Sequence, residues 1–407
     1  MEKLPFEGIR VTDFGWILAA PLATQWLTTL GAEVIRIESR TRLDLVRSGI
    51  IGGVVPGPDP AWNRVGTFNS LSYGKYSCCL DMTKPEAQAL AYQIIQKSDV
   101  VVEAYTTPVI ERFGLTYPQL KAIKSDIILF SNSSLGKTGP LKDVAGMGPA
   151  NQAFASLPSM TGYEGGTPTS MGGTWPDYTV GMSIAFLIIA ALYHRRRTGM
   201  GLHIDLSMAE TVMAMIPGQL LDYAMNGRVA QPQGNRDDLA APNNTYRCQG
   251  EDKWVAISIQ DEHQWGAFCQ ATGHPEWRED KRFCDTLSRH NHLDELDDLI
   301  SQWTRDKTAV QVMERLQAAG VSAGPSQNNL ELINDPQLQS RGQFIETDHP
   351  EVGRRLTMAM QGVFSAIPER RYEPSPLLGQ HNDKVFHDLL GLSQDEISRL
   401  IDQQVIY

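Results

Sequence analysis

The first 140 residues alternate short β-rich runs with helical stretches, and no other feature constrains the fold as tightly. Ile9–Phe14 (IRVTDF), Glu33–Glu38 (EVIRIE), Ser77–Met82 (SCCLDM), Asp99–Glu103 (DVVVE) and Asp126–Ser131 (DIILFS) read as strands. Pro21–Leu30, closed by Gly31, and Pro85–Lys97, with proline in its first turn, read as helices between them. Apolar strands separated by helices predict a mostly parallel sheet covered on both faces, an α/β fold that is Rossmann-like in its layers. The dinucleotide fingerprint is missing. The first strand runs into Gly15-Trp16-Ile17-Leu18 instead of GxGxxG, so NAD or FAD binding has no support.

At 407 residues the chain is too long for one comfortable core. Its texture changes near Thr245, where a β-hairpin around Gly250–Asp252 is followed by an aromatic helix near His263–Thr272. Two charged amphipathic helices then occupy Leu293–Gly320, and a β-rich stretch and a polar tail follow from about Phe344. The expected organisation is a large α/β domain beginning at 1–224, a smaller α+β domain at 225–330, and a return segment, 331–407, that completes the large domain. The Pro/Gly-rich stretch Gly49–Asn63 reads as a long surface loop.

A net charge of −11 gives no bulk reason to bind nucleic acid or an anionic membrane, so an anionic ligand needs local basic clusters. The start, MEKLPFEGIR, shows no secretory pattern. The apolar run Met182–Tyr193 is shorter than the ~20 residues a bilayer requires and reads as a buried core helix. Five cysteines without CxxC spacing, and nine histidines without HxxxH or HExxH, argue against a disulfide framework or a zinc site. A cytoplasmic location is expected, and no metal.

The segment 172–197, GGTWPDYTVGMSIAFLIIAALYHRRR, carries the clearest candidate for chemistry. Two glycines lead to Pro176 and Asp177, an apolar helix follows, and Arg195–Arg197 complement the dipole at its far end. Asp177 at a helix start reads first as an N-cap. The same position holds a carboxylate ionised, which also suits a nucleophile.

In order and spacing, several runs resemble family III CoA-transferases, the CaiB/BaiF type. They include FEGIRVTDFGWILAAPLATQWLTTLGAEVIRIES at 6–39, DVVVEAYTTPVIERFGL at 99–115, SSLGKTGP at 133–140, WPDYTVGMSIAFLIIAALYHRRRTGMGLHIDLSMAE at 175–210 and PLLGQHNDKVFHDLLGL at 376–392. The resemblance covers nearly the whole chain and places the family's covalent aspartate at Asp177. It implies transfer of coenzyme A between two carboxylic acids through an aspartyl-CoA thioester, with no permanently bound cofactor and an acyl-CoA, expected to be succinyl-CoA, as substrate. Backbone amides would stabilise the tetrahedral oxyanions. Arg40, Arg42, Lys75 and Arg112 are the candidates for CoA contacts. The implied subunit is a ring interlocked with a homodimeric or heteromeric partner.

Departures from the family narrow the chemistry. The shielding glycine loop of formyl-CoA transferases is replaced by Ser258–Trp265 (SIQDEHQW), which argues against oxalate or formate. A racemase of the same fold needs a histidine where Gly146-Met147-Gly148 stands, and methionine cannot move a proton. A non-catalytic partner subunit would be expected to lose Asp177. The run VIRIESRTRLDLVR at 34–47 resembles members acting on succinyl-CoA and larger acids, the benzylsuccinate enzymes among them. Trp16, Phe68, Tyr73, Tyr105 and Trp175 are candidates to line an aromatic-acid pocket.

Overall fold

The computed structural model describes residues 3–367 and 372–407. Six strands form one sheet: β1 Arg10–Phe14, β2 Glu33–Glu38, β3 Tyr76–Cys79, β4 Val100–Glu103, β5 Ile128–Ser133 and β6 His203–Ser207. Every pairing in it is parallel, and the spatial order is β3-β2-β1-β4-β5-β6. The Rossmann likeness therefore extends from layers to strand order, with the order reversing between β1 and β4.

The period-two alternation of the strands explains why both faces are covered. Val34, Val100, Val102, Ile128 and Phe130 enter one core, together with α1 (Ala19–Thr29) and the helix Trp175–Thr198. Ile35, Ile37, Val101 and Leu129 enter the other, against the helix Pro85–Gln96. The sixth strand, HIDLS, was not anticipated. It lies at the sheet edge with its first three residues partly or fully exposed, so it lacks the continuous apolar run that marks the others.

The helix Trp175–Thr198 has 24 residues, longer than its apolar run suggested, and by length and composition it is long enough to cross a membrane. In the fold it is a core helix: Val180, Gly181, Ile184, Ala185, Ile188 and Ala191 are buried in the layer it shares with α1.

The chain divides into two compact units. The larger comprises Met1–Leu157, Ser170–Arg228 and Gln339–Tyr407, and the smaller Pro158–Thr169 and Val229–Leu338. The small unit thus differs from the expected 225–330 at both ends and also takes a short piece from the middle of the chain. Within it, β7 Asn243–Arg247, β8 Trp254–Ser258 and β9 Ser322–Pro325 make an antiparallel sheet over a core of Trp265, Phe268, Phe283 and Trp303. In the large unit, the hairpin of β10 Phe344–His349 and β11 Gly353–Met358 precedes the tail. The tail then returns to β3: His381 N–H donates to Ser77 O at 2.9 Å, and Asp81 N–H to Val405 O at 3.0 Å.

Candidate active site

In an open parallel sheet, ligands sit beyond the strand carboxyl ends where the order reverses. The loops after β1 and β4 meet that description. Trp16, Ile17 and Ala104 line two cavities at once, one of about 280 Å³ and one of about 270 Å³. A larger groove of about 630 Å³ lies over the sheet of the small unit, but no titratable side chain lines it. The titratable side chains lie at the paired cavities.

The first of these carries the basic side chains. Arg42 and Arg112 line it with Thr41, Thr83, Thr106 and Phe113. Arg42 lies over the Trp16 ring, 5.5 Å from its centroid, and Arg112 over Phe113 at 5.3 Å. Arg40 does not line the cavity; it is exposed and stacks over Trp62 at 5.6 Å. The expectation for Lys75 requires correction. Lys75 is 1% exposed, and its ammonium donates to Pro21 O at 2.7 Å, Thr24 Oγ1 at 2.8 Å and Asp13 Oδ2 at 3.3 Å. Burial pulls it down to about 7, against the pull of Asp13, and no ligand phosphate can reach it.

Lys75 belongs to a buried ionic network, unforeseen in the sequence, whose Arg36, Glu38 and Asp44 form part of the cavity lining. Arg36 bonds Asp44 at 2.6 Å, Arg47 bonds Glu38 at 2.7 Å, and Asp13 faces both Lys75 and Arg36. Three acids balance three bases, which is the condition for burying charge at all. The network holds the turn between the cavities. Asp44 accepts the Ile17 N–H at 3.0 Å, and Ile17 sits at φ +63°, a left-handed conformation unfavourable for a β-branched residue.

Asp177 lies in the second cavity and is, among the described residues, the sole titratable one that lines it. It is not the helix cap: Thr174 occupies that position, without a side-chain bond, and Asp177 is the third residue of the helix. Nor is it held ionised as strongly as expected. Burial pushes its pKa up to about 6, opposed by its own backbone amide. At neutral pH it is still a carboxylate, and a more basic one than a solvated aspartate. Gly148 is packed close by. A Cβ there would stand 1.8 Å from Gly173 O and 3.3 Å from Asp177 Oδ2, so only glycine lets the backbone approach the carboxylate this closely.

The aromatic pocket anticipated from the sequence is not assembled around Asp177. Trp16 lines its cavity and Tyr105 lines the other. Phe68 is buried with Arg47 over its ring at 3.7 Å, Tyr73 packs on Tyr372, and Trp175 lines neither cavity. Residues the sequence reading passed over are Arg36, Ile17, Asn132, Ser133 and Gly148. The polar run Ser131-Asn132-Ser133-Ser134, at the end of a buried strand, was the one legible signal among them.

At the switch point of the sheet, then, an arginine-bearing cleft lies beside a cavity that holds Asp177, the arrangement of a ligand-binding α/β enzyme. The chain belongs to CoA-transferase family III, whose family model matches residues 6–382. It is 32% identical over 402 residues to the succinyl-CoA–D-citramalate CoA-transferase of Chloroflexus aurantiacus, covering 99% of this chain and 98% of that protein. With the alpha subunit of succinyl-CoA–L-malate CoA-transferase from the same organism, identity is 29% over 407 residues, covering 100% and 93%. The crystal structure of a CaiB/BaiF family protein from Brucella suis superposes with a TM-score of 0.85 at 27% identity, covering 95% of this chain and 100% of that one.

Proposed function

We propose that this CoA-transferase takes coenzyme A from succinyl-CoA and passes it to an acceptor carboxylic acid through a thioester on Asp177. The observation that carries the reading is the isolation of Asp177, the one ionisable side chain among the described residues lining a cavity that shares Trp16, Ile17 and Ala104 with the arginine-bearing cleft beside it. The 3′-phosphate and pyrophosphate of CoA suit Arg42 and Arg112, and the pantetheine arm then passes the Trp16–Ile17 turn. Two relatives named for succinyl-CoA support the donor.

The steps need neither ATP nor metal. A carboxylate oxygen of Asp177 attacks the thioester carbonyl, the C–S bond breaks, and CoA leaves as thiolate from a mixed anhydride. The thiolate attacks the aspartyl carbonyl, releasing succinate and leaving the aspartyl-CoA thioester. The acceptor carboxylate displaces CoA again to form a second anhydride. The thiolate then takes the acceptor acyl group and frees Asp177. Proton acid–base catalysis is not required, in keeping with a site that offers no second titratable side chain. A racemase, which moves protons between two such groups, does not fit it.

The acting species is proposed to be a dimer of two copies in the cytoplasm. Tyr178, Met182, Phe186, Ile189 and Tyr193 form an exposed apolar stripe along the helix Trp175–Thr198. Such a stripe beside a catalytic residue favours burial against another subunit. Sedimentation of the purified chain should give a dimer that Phe186→Glu weakens. Activity appearing only on addition of a homologous subunit would replace the homodimer by a heteromer.

The decisive experiment is trapping. Incubation with succinyl-CoA should add one CoA to the intact mass, mapped to Asp177, and Asp177→Ala should lose both the adduct and about 10⁴-fold or more in turnover. Full activity in Asp177→Ala would overturn the mechanism. Acceptor acids from short dicarboxylates to (R)-2-benzylsuccinate can be screened in the same assay, the latter disfavoured by the single aromatic side chain lining the Asp177 cavity.

A further inference from the structure

The wall of the Asp177 cavity contributed by β5 contains two polar atoms without partners. Asn132 is 4% exposed and its Oδ1 meets no donor, and the buried Oγ of Ser133 bonds to nothing. Their neighbours in the same polar run are satisfied. Ser131 Oγ pairs with His203 Nε2 at 2.9 Å, and Ser134 Oγ donates to Asn151 Oδ1. Leaving a buried polar group unpaired costs about 1–3 kcal/mol, so two consecutive ones facing a substrate cavity call for a ligand.

The chemistry of the wall states which ligand. Around Asn132 and Ser133 lie Ile17, Leu18, Ile51, Met147, Pro149 and Met208, and among the described residues no lysine, arginine or histidine lines the cavity. A hydroxyl fits, because it both donates and accepts. A carboxamide offers an acceptor and two donors whichever way it is turned, and a serine offers one of each.

We propose that Asn132 and Ser133 recognise a hydroxyl group near the reacting carboxylate of the acceptor, making this a transferase for short aliphatic hydroxy acids. The inference rests on the Asp177 relay. It adds a specificity element that the relay itself does not require. Discrimination follows from the unpaired atoms: a deoxy acid fills the cavity but leaves both polar groups dry, whereas a hydroxy acid satisfies them. Sites built to bond a hydroxyl reject its deoxy analogue far more strongly than apolar pockets reject an extra methylene.

The test uses matched acceptor pairs, lactate with propionate and 3-hydroxybutyrate with butyrate, and the full-length enzyme loaded from succinyl-CoA. Expected is a kcat/KM at least about 100-fold higher for the hydroxy member of at least one pair. In Asn132→Leu and Ser133→Ala that ratio should fall to within a few-fold of unity, mainly through loss of the hydroxy-acid rate. Formation of the Asp177 adduct in each variant shows that it is folded. If the adduct forms in the wild type but neither pair is discriminated, or the preference survives both substitutions, the hydroxyl site is overturned and the relay stands. If no adduct forms in the wild type, the relay falls and takes this inference with it.

Discussion

Asp13 and Asp177 are two sequestered aspartates in the same compact unit, and they sit in opposite electrostatic surroundings. Asp13 accepts bonds from the Gly15 N–H at 2.7 Å, the Thr24 hydroxyl at 2.7 Å and the Lys75 ammonium at 3.3 Å, with Arg36 at 4.0 Å. Burial alone would raise its pKa, but the Lys75 and Arg36 charges and these bonds hold it below the usual range. Asp177 is less deeply buried yet shifted upward, because none of the described cations pairs with it. Charge that is fully compensated is inert scaffolding. Charge left short of partners keeps its basicity.

The largest effect that could break this contrast is on stability. Asp13→Asn leaves Lys75 and Arg36 buried with one acid fewer, and breaking a buried pair in this way costs about 3–5 kcal/mol. Chemical denaturation should show that loss, whereas Asp177→Asn at neutral pH should show none. A tolerated Asp13→Asn with intact stability would mean the network is not what holds the turn after β1.

Gly148→Ala probes the contrast from the Asp177 side. The added methyl meets backbone at 1.8 Å and must displace Gly173 or the start of the helix that follows Gly148, next to the carboxylate. A displacement approaching 1 Å at a reacting group costs about 100-fold in rate. Single-turnover formation of the aspartyl-CoA adduct should slow by that order. Unchanged adduct kinetics would show that the approach of Gly148 to Asp177 has no part in the reaction.

How far this contrast was visible beforehand depends on the range of the interactions. Val100–Val102 and Ile127–Phe130 announced buried parallel strands because every residue in them is apolar. Asp177 was singled out by its helix and, for its role, by the family resemblance, though its place as third residue instead of cap depends on where Thr174 turns the backbone. Lys75 was misread because its partners, Asp13 and Thr24, lie 62 and 51 residues away, and a lysine beside a strand looks the same whether it faces water or a carboxylate. Asn132 and Ser133 carried a weak signal, polarity at the end of a buried strand. That they are left without partners depends on side chains brought in from four other segments of the chain.

The smallest effect is also the sharpest, because its sign depends on pH. Burial raises the pKa of Asp177 in the folded chain to about 6, above its ordinary value of 3.8, so folding favours its protonated form. The stabilising contribution of that proton is complete below pH 3.8 and is lost as pH rises through about 6. Asp177→Asn, neutral throughout, should therefore match the wild type near pH 4 and exceed it at pH 8, by about 1–2 kcal/mol once partial exposure is allowed for. With Asp177 as the proposed nucleophile, the same proton blocks attack in the wild type, so kcat/KM should fall about tenfold per unit below pH 6. Thermal melts of the two proteins across that range, read beside the pH–rate profile, locate one pKa twice by independent means. If the stability difference levels off near the pH of the kinetic midpoint, about 6, the group that destabilises the folded enzyme is the group that attacks the thioester. If the stability difference is flat with pH, Asp177 is as well compensated as Asp13 and the contrast between them disappears.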